Sequence, residues 1–164
     1  MIRELQWHVS VLAVAAGIAV FVLWVGLDGY YRKLGKGGPE WNPFHQFGVG
    51  SFLGWFFVAV RIIGLALIVP PVEEVFYRSL LYRYIVKSDF QSVSLGQFEW
   101  RAFIITSLVF GIVHFEWLPG ILCGAIYQAL VIRQKRLGDA IVAHGITNLL
   151  LGLWVVWKGA WHFW

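Results

Sequence analysis

The chain has 164 residues, of which 59% are hydrophobic and 13% charged, and its formal net charge is +4. Soluble globular domains typically have about 25% charged and 45–50% apolar residues, so this composition excludes an ordinary soluble domain and favours a membrane protein. The lysines and arginines lie in short segments between apolar runs, so we interpret them as topology determinants and expect no nucleic-acid partner. The single cysteine, Cys123, excludes an internal disulfide.

Apolar runs predict about six helices, several of them short, in one domain of residues 1–164. The first run, His8 to Leu27, has about the 20 residues needed to cross the hydrocarbon core and lacks a small-residue cleavage site, so we expect a retained anchor. The second run, Phe47 to Val69, is predicted to end at Pro70-Pro71, because proline has no backbone N–H donor and restricts the residue before it. Val72 to Lys87 follows as a helix with an acidic pair. The remaining runs are Ala102 to Phe115, Leu118 to Ile132 and Ala140 to Trp157.

This pattern predicts an all-α fold, a polytopic transmembrane helical bundle. Aromatic residues settle at membrane interfaces, and eight tryptophans fall at or near the ends of the runs: Trp7, Trp24, Trp41, Trp100, Trp117, Trp157, Trp161 and Trp164. Loops 28–46, 83–101 and 133–138 each have three lysines or arginines, whereas the alternate segments have only Arg3 and Lys158. The positive-inside rule therefore predicts that these three loops lie in the cytoplasm and both termini outside.

Ionisable residues at membrane depth are costly, so they usually pair with each other or have a function. Glu74 and Arg78 are four residues apart and can form an ion pair on one helix face. Glu73 lies about 100° around the helix from Glu74 and has no obvious local cation. An unpaired carboxylate in a poorly solvated place is a candidate general base. The alternative is that both glutamates only cap the start of the helix, where the helix dipole favours negative charge.

Two histidines lie in later apolar runs. His114 ends its run, one turn after Phe110, and a histidine at such a position is more often an interfacial hydrogen-bonding group than a catalyst. His144 and Asn148 are four residues apart, and two hydrogen-bond donors on one helix face can stabilise a developing oxyanion. The alternative for this pair is hydrogen bonding between helices.

In combination, these residues resemble the three motifs of the CAAX-processing and bacteriocin-related (Abi/CPBP) intramembrane protease family, relatives of the type II CAAX prenyl endopeptidase. The motifs are, in chain order, Glu73-Glu74-Val75-Phe76-Tyr77-Arg78, Phe110-Gly111-Ile112-Val113-His114 and His144-Gly145-Ile146-Thr147-Asn148. The resemblance covers roughly residues 50–157, a protease-like core.

The resemblance implies an intramembrane endopeptidase that acts on a peptide or protein substrate at the membrane. Glu73 and His114 would activate a water molecule, His144 and Asn148 would stabilise the tetrahedral oxyanion, and Glu74 and Arg78 would be a supporting ion pair. Zinc is the alternative cofactor, because Glu73, His114 and His144 could supply three ligands and leave a position open for water. We favour the mechanism without a metal, since the chain has no His-Glu-x-x-His helix.

Two other functions compete with this interpretation. The first is a non-catalytic membrane immunity or interaction protein of the same fold. The second is a proton-coupled transporter, which the absence of detectable inverted repeats disfavours. We expect a multi-pass protein of the bacterial inner membrane, with the lipid bilayer as a partner. Glycines spaced by four, at 50 and 54 and at 120 and 124, favour packing within one bundle, and a homo-oligomer contact is the alternative.

Overall fold

The structure is a computed structural model that describes residues 9–33 and 40–164. Six α-helices lie in the described residues: α1 (Val11–Gly26), α2 (Pro43–Phe47), α3 (Phe52–Val86), α4 (Trp100–Ile112), α5 (Trp117–Gln134) and α6 (Gly138–Lys158). Single 3-10 turns occupy Phe90–Ser92 and Trp161–Phe163, and this part of the chain contains no strand. The predicted all-α bundle is confirmed. Some residues used in the sequence predictions lie outside the described residues. They are Arg3, Trp7, Lys36 and His8, the last of which begins the first predicted span.

Helices α3 and α6 are long and apolar enough to cross a membrane, and α1 and α4 are shorter apolar helices. One side of α3 exposes large apolar side chains, including Phe52, Phe56, Val60, Ile63 and Leu67. A contiguous exposed apolar surface of this kind marks a binding or membrane face. The helix is therefore suited to contact with lipid.

Small residues allow the helices to approach closely. A Cβ on Gly17 of α1 would lie 2.5 Å from the Ala143 carbonyl oxygen of α6, and a Cβ on Gly120 of α5 would lie 3.0 Å from Cα of Gly111. Gly124 of α5 lies in the same way against Ser107 of α4. Gly120 and Gly124 thus pack inside the bundle, and the homo-oligomer stays a prediction.

The prediction that a helix ends at Pro70-Pro71 is wrong, because α3 continues through both prolines. Before them, Gly64–Ile68 is π-helical, and the Val69 amide bonds to the carbonyl five residues back, at Gly64. Pro70 cannot continue that series because it has no N–H. Proline is tolerated inside membrane helices when neighbouring helices satisfy the freed carbonyls. Continuity also removes the capping interpretation of the two glutamates, since they lie in the middle of a helix.

Contacts between loops define two ends of the bundle. At the Asp28 end (residues 28–33, 113–117 and 159–164), Trp117 Nε1 donates to the Arg32 carbonyl at 2.8 Å and His162 Nε2 lies 2.8 Å from Asp28 Oδ2. At the Asp139 end (residues 9–10, 87–99 and 135–139), Ser10 donates a hydrogen bond to Asp139.

The described parts of the three basic loops do not lie at one end of the bundle, as a shared compartment would require. Gly96 packs against the Lys135 side chain, so loops 87–99 and 135–137 lie together at the Asp139 end. The segment after α1 lies at the Asp28 end, on the opposite side. The cause is α3, which crosses the bundle once where the sequence suggested two separate helices.

Candidate active site

One cavity of about 170 Å³ collects side chains from all three motifs. Glu73 of α3, His114 after α4, and His144 and Asn148 of α6 all line it. The other residues that line the cavity are mostly apolar: Trp24, Leu65, Val69, Phe110, Glu116, Cys123, Thr147, Leu151, Gly152, Phe163 and Trp164. The catalytic roles of the four motif residues stay predictions, but the chain brings them to one place.

Glu74 is fully buried between two cationic or polar partners. Its Oε2 lies 3.0 Å from Arg78 Nε, and its Oε1 lies 3.0 Å from His144 Nδ1. The Arg78 guanidinium, also fully buried, lies 4.7 Å from the centre of the Phe110 ring. Because a carboxylate accepts hydrogen bonds, His144 directs its Nδ1–H to Glu74 and its Nε2 toward the cavity.

Glu73 is the less restrained of the two glutamates. Its side chain is 29% exposed, and its Oε2 accepts no hydrogen bond from the described residues. His144 Nε2 lies 4.0 Å from that oxygen. Spacing along α3 could not show this neighbour, because His144 comes from a helix about 70 positions further along the chain.

His114 is oriented by its own motif. Its Nδ1 lies 2.6 Å from the Phe110 carbonyl oxygen, which can only accept, so Nδ1 holds the proton. Nε2 then has a free lone pair. The Phe110 ring lies 4.6 Å from the imidazole, and the Trp24 ring meets it edge-on at 5.7 Å. Trp24 comes from α1, where no motif marked it.

Asn148 connects α6 to the irregular part of α3. Its Nδ2 donates to the Leu65 carbonyl at 2.8 Å. Leu65 is five residues before Pro70, so its carbonyl is one that the proline leaves without a backbone donor. The interhelical hydrogen bonds that were the alternative for His144 and Asn148 are therefore present, and each side chain retains one further polar position.

A second layer of side chains supports His144. The Tyr127 ring of α5 lies 5.3 Å from the imidazole, and its hydroxyl lies 2.6 Å from Thr147 Oγ1. Thr147 Oγ1 in turn lies 2.8 Å from the Gly17 carbonyl of α1. Sequence reasoning missed Tyr127, because one tyrosine in an apolar run has no local pattern.

The described residues contain no group of three or more His, Cys, Asp or Glu side chains arranged to hold a metal ion. Glu73, His114 and His144 line one cavity without forming such a group, and zinc stays the alternative cofactor.

Ionic contacts fasten the Asp28 end of the cavity. Lys33 Nζ lies 3.0 Å from Asp28 Oδ1 and 3.3 Å from Glu116 Oε1. Burial alone would raise the pKa of Asp28, but hydrogen bonds and charge from Lys33 and His162 hold that pKa below its usual value of 3.8. Asp28 therefore stays ionised near neutral pH and keeps its contacts with Lys33 and His162.

Residues 55–150, more than half of the chain, match the model of the type II CAAX prenyl endopeptidase Rce1-like family. The chain belongs to this family. The match includes all three motifs and leaves out α1, and it confirms the resemblance seen in the sequence. Family membership and the apolar helices together identify a membrane protein.

The chain is also 30% identical over 110 residues to the UPF0177 protein YbdI of Lactococcus lactis subsp. lactis. This match covers 63% of the chain and 51% of the relative, so the chain spans about half the length of that curated protein. No solved structure matches the chain.

Proposed function

We propose that this protein is an intramembrane endopeptidase that hydrolyses a peptide bond of a membrane-associated protein or peptide with activated water. The observation that carries the proposal is that Glu73, His114, His144 and Asn148, from three separate segments, line one cavity. A cavity of about 170 Å³ has room for a water molecule beside a substrate carbonyl group. Family membership supports the same class of activity. We place the protein in the bacterial inner membrane as a multi-pass protein.

Glu73 is the general base in this mechanism, because its Oε2 has no donor among the described residues. His114 Nε2 accepts a hydrogen bond from the same water and orients it. As Glu73 takes one proton, the water oxygen forms a bond to the carbonyl carbon, and the carbonyl electron pair moves to oxygen. Glu73 then gives the proton to the peptide nitrogen, and the carbon–nitrogen bond breaks to release an amine and a carboxylic acid.

His144 and Asn148 stabilise the oxyanion formed in the first step. Glu74 holds His144 through Nδ1, so His144 Nε2 faces the cavity, and in the proposed mechanism that nitrogen is the hydrogen-bond donor to the oxyanion. Asn148 Nδ2 has a second proton besides the one it donates to Leu65. Glu74 and Arg78 therefore act on the reaction through His144.

The proposal is tested with the full chain reconstituted in phospholipid vesicles that contain a quenched-fluorescent peptide library. Removing a general acid–base group typically lowers a rate by about 100-fold or more, so Glu73→Gln and His114→Ala should each abolish most cleavage. Glu40→Gln and His45→Ala make the same chemical changes at exposed positions and should cleave like wild type.

Equal cleavage by wild type, Glu73→Gln and His114→Ala would refute the peptidase. A folded wild-type protein that cleaves nothing in the library would instead favour the non-catalytic interaction protein. The metal-free mechanism is tested separately. We expect a zinc chelator to leave the rate unchanged, and stoichiometric zinc in the purified protein would contradict this mechanism.

A further inference from the structure

The turn at residues 161–164 lies across the Asp28 end of the cavity. Helix α6 ends at Lys158, and Gly159, with φ of +65°, redirects the chain in the left-handed conformation that glycine favours. Phe163 and Trp164 then line the cavity together with the motif residues. The turn is therefore part of the wall of the candidate site.

Side-chain contacts with the segment after α1 hold the turn in place. His162 Nε2 lies 2.8 Å from Asp28 Oδ2, and the Lys33 ammonium lies 5.4 Å from the centre of the Phe163 ring. His162, Asp28 and Lys33 are all partly exposed. Contacts of these kinds are individually weak when solvent reaches them.

Arg61 of α3 makes the third contact with the turn. Its guanidinium carbon lies 5.3 Å from the centre of the Trp164 ring and 5.6 Å from that of Trp41. Its Nε is buried and forms no hydrogen bond with the described residues. The two rings therefore provide cation–ring contacts for a charge that lies inside an apolar helix.

We infer that turn 161–164 is a displaceable cover over the Asp28 end of the candidate site, and that its movement opens the cavity to a substrate from that end. Apart from His114 and Glu116 in the short loop after α4, the other residues that line the cavity belong to α1, α3, α5, α6 or the body of α4. Those helices cannot move without separating helix interfaces. The turn can move by rotation about Gly159 and loss of a few side-chain contacts. Access through small loop movements is a common way to gate an active site.

The aromatic rings of the cover also predict which kind of substrate group would bind at this position. When the turn moves away, the cavity that Trp24 and Leu151 also line loses the rings of Phe163 and Trp164. An apolar segment of the substrate would take the place of those rings. This inference rests on the proposed function only in taking the covered cavity as the peptidase site.

Cys123 allows the cover to be tested without a substrate. It is the single cysteine in the chain, it lines the same cavity, and it is 2% exposed. Its rate of reaction with methyl methanethiosulfonate, measured by mass spectrometry on the folded full chain in detergent, reports how often the cavity opens. Fully denatured protein gives the upper limit of that rate.

Replacing both rings, with Phe163→Ala and Trp164→Ala together, should raise the labelling rate about tenfold, because both cation–ring contacts are lost. Asp28→Asn weakens the charged contact and should raise the rate about two- to fivefold. Trp157→Ala removes an exposed tryptophan from the neighbouring turn of α6 that does not line the cavity, and it should label like wild type.

The double variant Phe163→Ala, Trp164→Ala and the variant Asp28→Asn are the two cover variants. Unchanged labelling of Cys123 in both of them overturns the inference. If circular dichroism shows that the double variant has lost its helices, Asp28→Asn, a change at a partly exposed position, decides the question alone. Glu73→Gln separates the two proposals, since it should label at the wild-type rate while it abolishes cleavage. Faster labelling of the cover variants in a protein that cleaves no peptide would support the cover and count against the peptidase.

Discussion

Glu74 is held by two partners on different helices, and this arrangement makes Arg78 important for stability as well as for the site. Both members of the pair are fully buried, and their closest atoms are 3.0 Å apart. Burying charges is costly, and the pair is maintained because each charge compensates the other. Removing one partner leaves an uncompensated charge inside the bundle.

We predict that Arg78→Leu lowers the free energy of unfolding by about 3–5 kcal/mol, the usual cost of breaking a buried pair. Adding Glu74→Gln to that variant should recover part of the loss, because the orphaned charge is then gone. Arg101→Leu, at an exposed position, should change stability by less than about 0.5 kcal/mol. Thermal unfolding in detergent, followed by circular dichroism, measures all three. A loss for Arg78→Leu no larger than that for Arg101→Leu would contradict the pair.

Tyr127 positions His144 by packing its ring against the imidazole, and the contributions of the Tyr127 ring and hydroxyl can be separated. Tyr127→Phe keeps the ring and removes only the hydroxyl bonded to Thr147, so we expect kcat within about threefold of wild type. Tyr127→Leu removes the ring, and we expect kcat to fall about tenfold with KM unchanged, because small misplacements of catalytic groups are costly.

Nuclear magnetic resonance of histidine-labelled protein checks this prediction without a substrate. The chain has five histidines, and the signal of His144 is the one that His144→Gln removes. That signal should move in Tyr127→Leu and stay near its wild-type position in Tyr127→Phe. Equal effects of the two variants on the signal and on kcat would show that the ring has no special role.

For individual residues, the sequence predicted contacts within one helix and missed the contacts of Glu74 and Tyr127 with another helix. Glu74 and Arg78 are four residues apart, so helix geometry alone places them on one face. The contact of Glu74 with His144, and that of Tyr127 with His144, join helices far apart in the chain. Only tertiary packing creates such contacts, so neither could be found by spacing.

The helices themselves show the same limit. Each apolar run was found, but Pro70-Pro71 was given its usual meaning of a helix end. In α3 the missing N–H of Pro70 instead frees the Leu65 carbonyl, which Asn148 uses. The outcome depends on a donor from another helix, and no property of the run from Phe47 to Val86 indicates that donor.

Close packing of α4 against α5 fixes the position of the second motif, and Gly111 makes that packing possible. A Cβ on Gly111 would lie 2.7 Å from both the Ile121 amide nitrogen and the Trp117 carbonyl oxygen. Backbone atoms cannot move aside as a flexible side chain can, so the two helices would have to separate.

We predict that Gly111→Ala lowers the free energy of unfolding by about 1–3 kcal/mol or more, the cost of overpacking a filled interior. Gly26→Ala is the matched control, because Gly26 ends α1 with no atom within 4 Å of the added Cβ. That change should be neutral or stabilise by up to about 1 kcal/mol, since alanine favours helix. Thermal unfolding of the two variants side by side decides the point, and equal stabilities would contradict the packing.

For the whole molecule, the single crossing by α3 changes the distribution of charge between the two ends. Within the segments that define each end and the four residues on either side of them, the described residues include six lysines and arginines at the Asp139 end and three at the Asp28 end: Arg83, Lys87, Arg101, Arg133, Lys135 and Arg136 against Arg32, Lys33 and Lys158. The bias is weaker than the sequence indicated, because loop 28–46 no longer adds to the other two basic loops. The positive-inside rule then favours the Asp139 end in the cytoplasm.

We predict that Arg32 lies on the opposite face of the membrane from both Lys87 and Arg133. Cysteines placed one at a time at these exposed positions, in a Cys123→Ser background, can be labelled with a membrane-impermeant maleimide in intact cells. Arg32→Cys should react from outside, whereas Lys87→Cys and Arg133→Cys should react only after the membrane is permeabilised. Equal labelling of all three in intact cells would restore the single compartment indicated by the loop charges and would rule out one crossing by α3. The predicted pattern, with Arg32→Cys labelled from outside, would also place the cover formed by residues 161–164 on the outer face. Substrates would then reach Glu73 from outside the cell.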